Sequence, residues 1–511
     1  MMSAQNRDTD QRRRLAGGAG AAFLGRLGAV IEVASILVFT WAYGTVGFGL
    51  FAVLWSFVKI GTAVAELAMP TAQQRFVPQA DETGAHAAAG FAMKISVAAA
   101  VVIALAVTAA APYIAPHINT GDASAGHMTD IVRLYVWVLP FWTLIEVATA
   151  AIRARRTFGP EIRVRIFYEQ GLRLLAALAF AGLGWQVYGL FLAHLVSTAL
   201  AAILALRLVA RHYDLRKLAS APMTGDMPRT VLLYGLSVMP AGFVKKLVSE
   251  LPVIFLNFLL AGAAGAAAGG IYAVARKVAS VLQLVRLPFD YVIAPIASET
   301  AAKGDSAQLA DLFAFATRLS LALVLPLATA LIAAGNDILA LMRPEYQAAY
   351  AAIVILSAGR ISETFAGPSP ALVEMLAHRS LPAINGLAGL GTLAALSYAL
   401  IPSFGVAGGA LAAAAGLNIT ALLAFMELRL LFRLSPLTRS GLPVILAAII
   451  AGAAILAGGL LLRPYGPPWG LAWALVSFAL SVAGIIRFVL PADDRAALPL
   501  PILQGKRGSP A

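Results

Sequence analysis

The sequence predicts an all-α polytopic membrane protein of about fourteen transmembrane helices, and three observations predict it. Of its 511 residues, 60% are hydrophobic and 12% charged, where soluble domains carry about 25% charge. The mean hydropathy is +0.83. Apolar runs of the roughly 20 residues needed to cross a bilayer recur along the chain. The charge that remains is sorted by loop, as the positive-inside rule requires. A soluble globular enzyme and a disordered scaffold are both excluded.

The runs fall at 16–42, 47–69, 90–112, 131–152, 166–184, 186–207, 230–256, 269–296, 309–334, 348–374, 382–402, 405–428, 441–462 and 469–490, taken here as spans 1 to 14. The first follows a tail containing Arg7, Arg12, Arg13 and Arg14. It is too long for a signal-peptide core and is read as a retained helix. With the N-terminus in the cytoplasm, the inside segments include Arg153–Arg165 and Arg207–Arg229, the region of Arg429, Arg433 and Arg439, and a tail with Arg495, Lys506 and Arg507. The outside links 43–46, 184–185, 257–268 and 402–404, and the loop 113–130, carry no Lys or Arg. Arg343 and Arg463 are the exceptions. The expectation is a bacterial plasma-membrane protein, both termini cytoplasmic, whose net charge of +13 lies mostly on the inner side.

The chain has no cysteine and six scattered histidines, so disulfides, thiolate metal sites and a thiol nucleophile are ruled out, and no metal site is expected. Its loops are shorter than the roughly 50 residues of a small domain. It lacks a phosphate-loop motif, so nucleotide hydrolysis is not its energy source. The stretch Gly262–Gly265 reads as a small-residue loop.

An internal repeat links the halves. Gly49-Leu50-Phe51-Ala52-Val53 opens span 2 and Gly270-Ile271-Tyr272-Ala273-Val274 lies in span 8, six spans apart. An even offset gives parallel halves about an axis along the membrane normal, with a site between them. The expected organisation is a tail 1–15, an N-lobe 16–218, a C-lobe 219–435, a helix pair 436–490 and a tail 491–511.

These blocks also carry a family resemblance. Tyr43-Gly44, Gly49 to Val53, Pro70 and Arg75-Phe76-Val77 resemble the first helix pair of the prokaryotic polysaccharide transporters. These are the O-antigen and exopolysaccharide flippases of the multidrug/oligosaccharidyl-lipid/polysaccharide exporter superfamily. Tyr234-Gly235-Leu236-Ser237, Arg343-Pro344-Glu345-Tyr346 and Ile401 to Leu411 resemble later blocks of that family, in order. Pro240 stands further from Tyr234-Gly235-Leu236 than in the family pattern. The resemblance implies a flippase for undecaprenyl-pyrophosphate-linked oligosaccharide, not an enzyme, working beside a polysaccharide polymerase and other assembly proteins, without nucleic acid. The alternatives are a multidrug or metabolite antiporter and a peptidoglycan lipid-precursor flippase.

Charges within spans bear on the site, since an ionisable group at mid-bilayer costs about 2.5–3.5 kcal/mol on insertion scales. At about 1.5 Å per residue, Arg26 lies about 15 Å into span 1 and Lys59 about 18 Å into span 2. Lys59, Thr62, Glu66 and Gln73 share a face, as do Arg276, Ser280, Gln283 and Asp290. Span 10 holds Ser357, Arg360, Glu363 and Thr364 before Gly367-Pro368-Ser369-Pro370. The expected anion-binding set is Arg26, Lys59, Lys245, Lys246, Arg276, Lys277 and Arg360. Glu32, Glu66, Glu250, Asp290 and Glu363 are the candidates for binding a coupling ion, H⁺ or Na⁺, or for balancing charge. No other cofactor is expected. Lys246 and Glu250, four apart, are a candidate intrahelical pair. Arg286 reads as an interfacial cation and His194 as a packed histidine.

Overall fold

The computed structural model describes residues 29–121, 125–157, 161, 163–286, 289, 293, 306–377 and 380–498. Among them the chain is helical with no strand. This follows from the composition, because a segment in hydrocarbon must satisfy its own backbone hydrogen bonds and a helix does so within one stretch.

Spans 1 and 2 run as one helix, α1 (Ala29–Ala65), bent where Gly44 takes φ 70°. That left-handed geometry is cheap for glycine alone. Leu67 and Ala68, at φ 50° and 53°, turn the chain into α2 (Met69–Phe76), which Pro70 opens. Span 3 is α3 (Glu82–Ile114), capped by Asp81 accepting from Gly84 N at 2.8 Å. Span 4 divides into α4 (Met128–Tyr135) and α5 (Val138–Ala154). Spans 5 and 6 are α6 (Glu169–Gly182) and α7 (Gln186–Val209), joined through Gly184 at φ 78°. After a short α8 (Leu215–Ser220), span 7 is α9 (Asp226–Leu259).

Span 8 begins with α10 (Gly262–Ala279) and resumes helically over 281–286 after a turn at Ser280. The expected loop at 262–265 is instead the first turn of α10: Gly262, at φ 58°, begins a helix whose small residues continue along it. Span 9 is α11 (Ser306–Ala333), followed by a short α12 (Gly335–Ala340). Span 10 is α13 (Tyr350–Phe365) and α14 (Ser369–Leu376), broken at Gly367 and Pro368. Spans 11 and 12 form α15 (Ser380–Leu431), bent at Gly405 with φ 52°. α16 (Leu442–Leu462), α17 (Pro467–Gly484) and a short α18 (Ala492–Ala497) complete the chain.

Nine helical stretches among the described residues are long and apolar enough to cross a membrane. Of these, α15 holds spans 11 and 12, and α1 holds span 2 with the described end of span 1. The shorter α6, α10 and α13 coincide with spans 5, 8 and 10. The described residues of every expected span are therefore largely helical, and the chain is a multi-pass membrane protein.

The described residues form two compact units. One runs through Ala273 and includes Ser397–Gly409; the other holds Val274–Leu396 and the chain from Ala410. The first is cored by Met69, Phe91, Ile145, Ile152 and Val231 among others, and within it α9 packs along α1. The second is cored by Phe313, Phe315, Leu372, Leu428 and Val444, with α16 packed along α11.

Candidate functional site

Each unit carries its own cluster of membrane-depth charge. In the first, α1 brings Lys59 against Glu250 of α9, an ion pair whose side chains are 16% and 5% exposed. Ser56 Oγ donates to Glu250 Oε2 at 3.0 Å and Ser249 Oγ to Oε1 at 3.3 Å. The Lys59 ammonium lies 5.7 Å from the centre of the Trp55 ring, a distance at which cation and ring attract. Glu250 therefore pairs across helices rather than with Lys246, as helical spacing suggests. The reason is packing: α1 delivers Lys59 into the buried face where Glu250 lies, whereas Lys246 is half-buried on α9 and Lys245 exposed.

Glu66, at the end of α1, stands in the electrostatic neighbourhood of Glu146, Lys246, Arg165 and Arg153. Arg165 Nη2 meets Glu146 at 2.9 Å and its Nη1 meets Glu161 at 3.1 Å, while Arg153 pairs with Glu161. Three acids and three cations interleave here, so this end of the bundle is an ionic mesh. Its parts come from α1, α5, the 161–168 segment and α9. The Arg165 guanidinium also lies 5.5 Å from the Trp142 ring centre.

In the second unit, Arg286, Arg360 and Glu363 converge. Glu363 is 9% exposed and accepts from Arg360 Nη1 at 2.7 Å; Arg286, 14% exposed, is its other ion-pair partner. With its amide oxygen turned toward Arg360, Gln283 accepts from Nη1 at 3.1 Å. These side chains, with Leu282, Val324 and Thr364, line a cavity of about 130 Å³. Arg286 is thus a wall residue of a buried polar cavity rather than an interfacial cation. The helical stretch 281–286 brings it to α13, where Glu363 supplies its carboxylate partner. Glu363 sits between the two guanidiniums and pairs with both.

Arg276 and Lys277 are half-buried on the last turn of α10. The turn at Ser280, whose hydroxyl donates to Lys277 O at 2.7 Å, interrupts the face that helical spacing assigned to Arg276, Ser280, Gln283 and Asp290. Arg26 and Asp290 lie outside the described residues. Glu32 lies on α1 with its side chain likewise outside them. Among the described residues no group of His, Asp or Glu is arranged to hold a metal ion.

One cluster escaped the reading of the sequence. Glu169 and Arg173 of α6, His194 of α7 and Tyr135 of α4 meet in the interior of the first unit. Glu169 and Arg173 stand four apart within apolar span 5, and that spacing was the signal.

Long, kinked, paired helices that bury ion pairs between them define a polytopic α-helical membrane fold. Solved structures with this fold include one titled lipid II flippase MurJ in an inward closed conformation, at TM-score 0.68 and 10% identity, covering 92% of this chain and 99% of that one. A structure titled MATE in complex with MaL6 matches at TM-score 0.58 and 14% identity, over 83% and 96%. A transporter of the MOP superfamily from Pyrococcus furiosus matches at 0.56 and 13%, over 83% and 96%. No curated protein matches the sequence. A family model described as polysaccharide biosynthesis protein matches residues 45–344, more than half of the chain. The chain belongs to that family.

Proposed function

We propose that the chain is an alternating-access flippase that moves a lipid-linked oligosaccharide from the cytoplasmic to the outer leaflet of a bacterial plasma membrane. The cargo is of the undecaprenyl-pyrophosphate class used in O-antigen or exopolysaccharide assembly. The observation that carries the reading is the cavity where Arg286 and Arg360 present guanidinium donors beside Gln283. Such donors offset the desolvation of a phosphate by charge-assisted hydrogen bonds. Membership of a polysaccharide biosynthesis family and a fold like that of the lipid II flippase support it.

In this reading the lobes 16–218 and 219–435 rock against each other, and the pair 436–490 shelters the lipid tail. Arg26, Lys59, Lys245, Lys246, Arg276, Lys277 and Arg360 supply positive charge along the path. A proton or Na⁺ gradient drives the cycle, both termini lie in the cytoplasm, and a polysaccharide polymerase receives the product. The likeness to the lipid II flippase favours a peptidoglycan lipid precursor as the second cargo to examine.

The test is translocation of a fluorescent undecaprenyl-pyrophosphate oligosaccharide in proteoliposomes, with lipid II as a parallel cargo. Each charge-assisted hydrogen bond contributes about 1.5–3 kcal/mol. The double variant R286A/R360A is therefore expected to slow translocation about tenfold or more at equal protein. An unchanged rate removes the site; a rate confined to lipid II replaces the cargo.

A further inference from the structure

Glu363 bridges two guanidiniums with one oxygen each. Its Oε2 accepts from Arg360 Nη1 at 2.7 Å, and its Oε1 is the ion-pair partner of Arg286 Nη1. Phosphate oxygens take guanidinium N–H donors in the same geometry as carboxylate oxygens do. Around the three side chains, Leu282 and Val324 supply apolar wall. Gln283, its amide oxygen turned inward, accepts from Arg360 Nη1 at 3.1 Å and also meets Nη2. The cavity of about 130 Å³ is several times the roughly 15 Å³ that seats one water, so a small anion has room beside the carboxylate.

We infer that Glu363 is an internal competitor of the cargo's phosphate: it holds Arg286 and Arg360 while the site is empty and loosens its hold when a phosphate engages them. This inference rests on the reading of the cavity as the phosphate site. Both guanidiniums direct Nη1 at the carboxylate, so a phosphate that takes those donors takes them from Glu363. The exchange is of one anion for another on the same two cations, and no covalent bond changes.

The surroundings make the competition strong. Two anions side by side beneath apolar walls repel far more than they do in water, because the screening by solvent is largely lost. The carboxylate also serves the empty site, since a buried guanidinium whose partner is removed is left uncompensated. A transport site must bind its cargo firmly enough to admit it and loosely enough to let it go. Glu363 stands three residues beyond Arg360 on α13, so it is held within reach of that guanidinium throughout and re-forms the pair as the phosphate departs. The competitor thereby lowers affinity for the cargo and speeds its release. A glutamine at this position keeps the shape and gives up the charge.

The experiment is calorimetric titration of inorganic pyrophosphate into the full chain in nanodiscs of zwitterionic lipid, repeated with undecaprenyl phosphate in the nanodisc as a competitor. The expected result is an affinity at least about tenfold higher in E363Q than in wild type for both probes, with slower translocation of the fluorescent oligosaccharide in proteoliposomes. A merely structural loss would lower affinity and rate together. An affinity in E363Q equal to or below that of wild type overturns the inference. Where E363Q does not accumulate, E363D keeps the charge but withdraws it from one guanidinium, and an affinity no higher than wild type overturns the inference equally. A gain confined to the free anion overturns it for a lipid-borne phosphate, and a tighter E363Q that translocates at the wild-type rate overturns the role in release. Wild-type binding unaffected by R286A/R360A removes the phosphate site itself, whereas binding lost in R286A/R360A but unchanged in E363Q overturns the competitor alone.

Discussion

Gly49 and Gly270, the first residues of the two repeated pentapeptides, cross backbone to backbone. A Cβ on Gly270 would stand 2.8 Å from the Thr45 carbonyl oxygen and 3.0 Å from Gly49 Cα, and one on Gly49 would overlap the Ala266 carbonyl oxygen. Thr45 precedes Gly49 by one helical turn, as Ala266 precedes Gly270. The contact is therefore reciprocal, each copy of the motif resting on the equivalent carbonyl of the other. Glycine recurs at the head of both copies because a side chain fits at neither.

Adding a methyl group there must separate α1 from α10. Gly49→Ala and Gly270→Ala are each expected to destabilise the protein by at least the roughly 1–3 kcal/mol of an overpacked core. Gly242→Ala on α9, where a Cβ meets nothing within 4 Å, should be neutral or slightly stabilising through helix propensity. Thermal unfolding of the three purified variants in one detergent compares them. Equal midpoints for Gly49→Ala and Gly242→Ala would show that the crossing gives way freely.

The Lys59–Glu250 pair makes a different prediction. Removing one partner of a buried pair leaves a charge in low dielectric and costs about 3–5 kcal/mol, whereas replacing both with apolar residues is often neutral. Lys59→Met and Glu250→Leu should each lower the melting temperature, and K59M/E250L should recover most of the loss. Lys59 is partly exposed, so Glu250→Leu, which leaves that charge behind, should be the milder single variant, and Lys59→Met, which strands the more buried Glu250, the more severe. A double variant no better than the sum of the singles would mean the two charges act separately.

These two relationships mark what was legible in the sequence. The spans were, because hydrocarbon demands long apolar helices, and so were the bends, because Gly44, Gly405 and the Gly367-Pro368 break fall where the apolar runs meet or falter. The partners of buried charges were not. Helical spacing sees neighbours three or four residues away, and Lys59 is 191 residues from Glu250. The same limit turned Arg286 into an expected surface cation, since nothing local announces Glu363 on another helix. Glu169 and Arg173 have the spacing of a helical pair but were missed, and only the fold adds His194 and Tyr135 to them.

Outside the spans, α8 offers a pH-dependent element. Asp214 caps it, accepting from Arg216 N at 2.8 Å, and this hydrogen bond holds the carboxyl below its ordinary value, with Lys217 and His86 adding to the effect. A depressed carboxyl contributes stability that is present above the unfolded value of about 3.9 and is lost as pH falls through the folded value. Amide exchange over residues 215–220, corrected for its intrinsic pH dependence, should therefore be flat above about pH 5 and rise below about pH 4. In Asp214→Ala it should be raised at neutral pH and insensitive to acid. A wild-type profile matching that of Asp214→Ala would remove the cap from the account.

Arg318 of α11 holds Asp494 of α18 through two hydrogen bonds, Nε to Oδ2 at 2.7 Å and Nη2 to Oδ1 at 3.0 Å, with Asp494 wholly buried. Arg318 Nη1 also donates to Thr438 Oγ1 at 3.3 Å. One guanidinium thus ties the segments on either side of the C-terminal helix pair, 438 before α16 and 494 after α17, to the same helix. A bidentate pair of this kind adds geometric specificity to charge. Asp494→Ala strands a buried guanidinium and should cost about 3–5 kcal/mol, expressed first as release of α18. Limited proteolysis should then cut beyond Leu490 faster than in wild type, while α11 itself stays protected. Arg318→Met should expose the same sites and, through Thr438, loosen the start of α16 as well. Cleavage of Asp494→Ala at the wild-type rate would mean that apolar packing of Ala497 and Leu498, both buried, holds the tail without the ion pair.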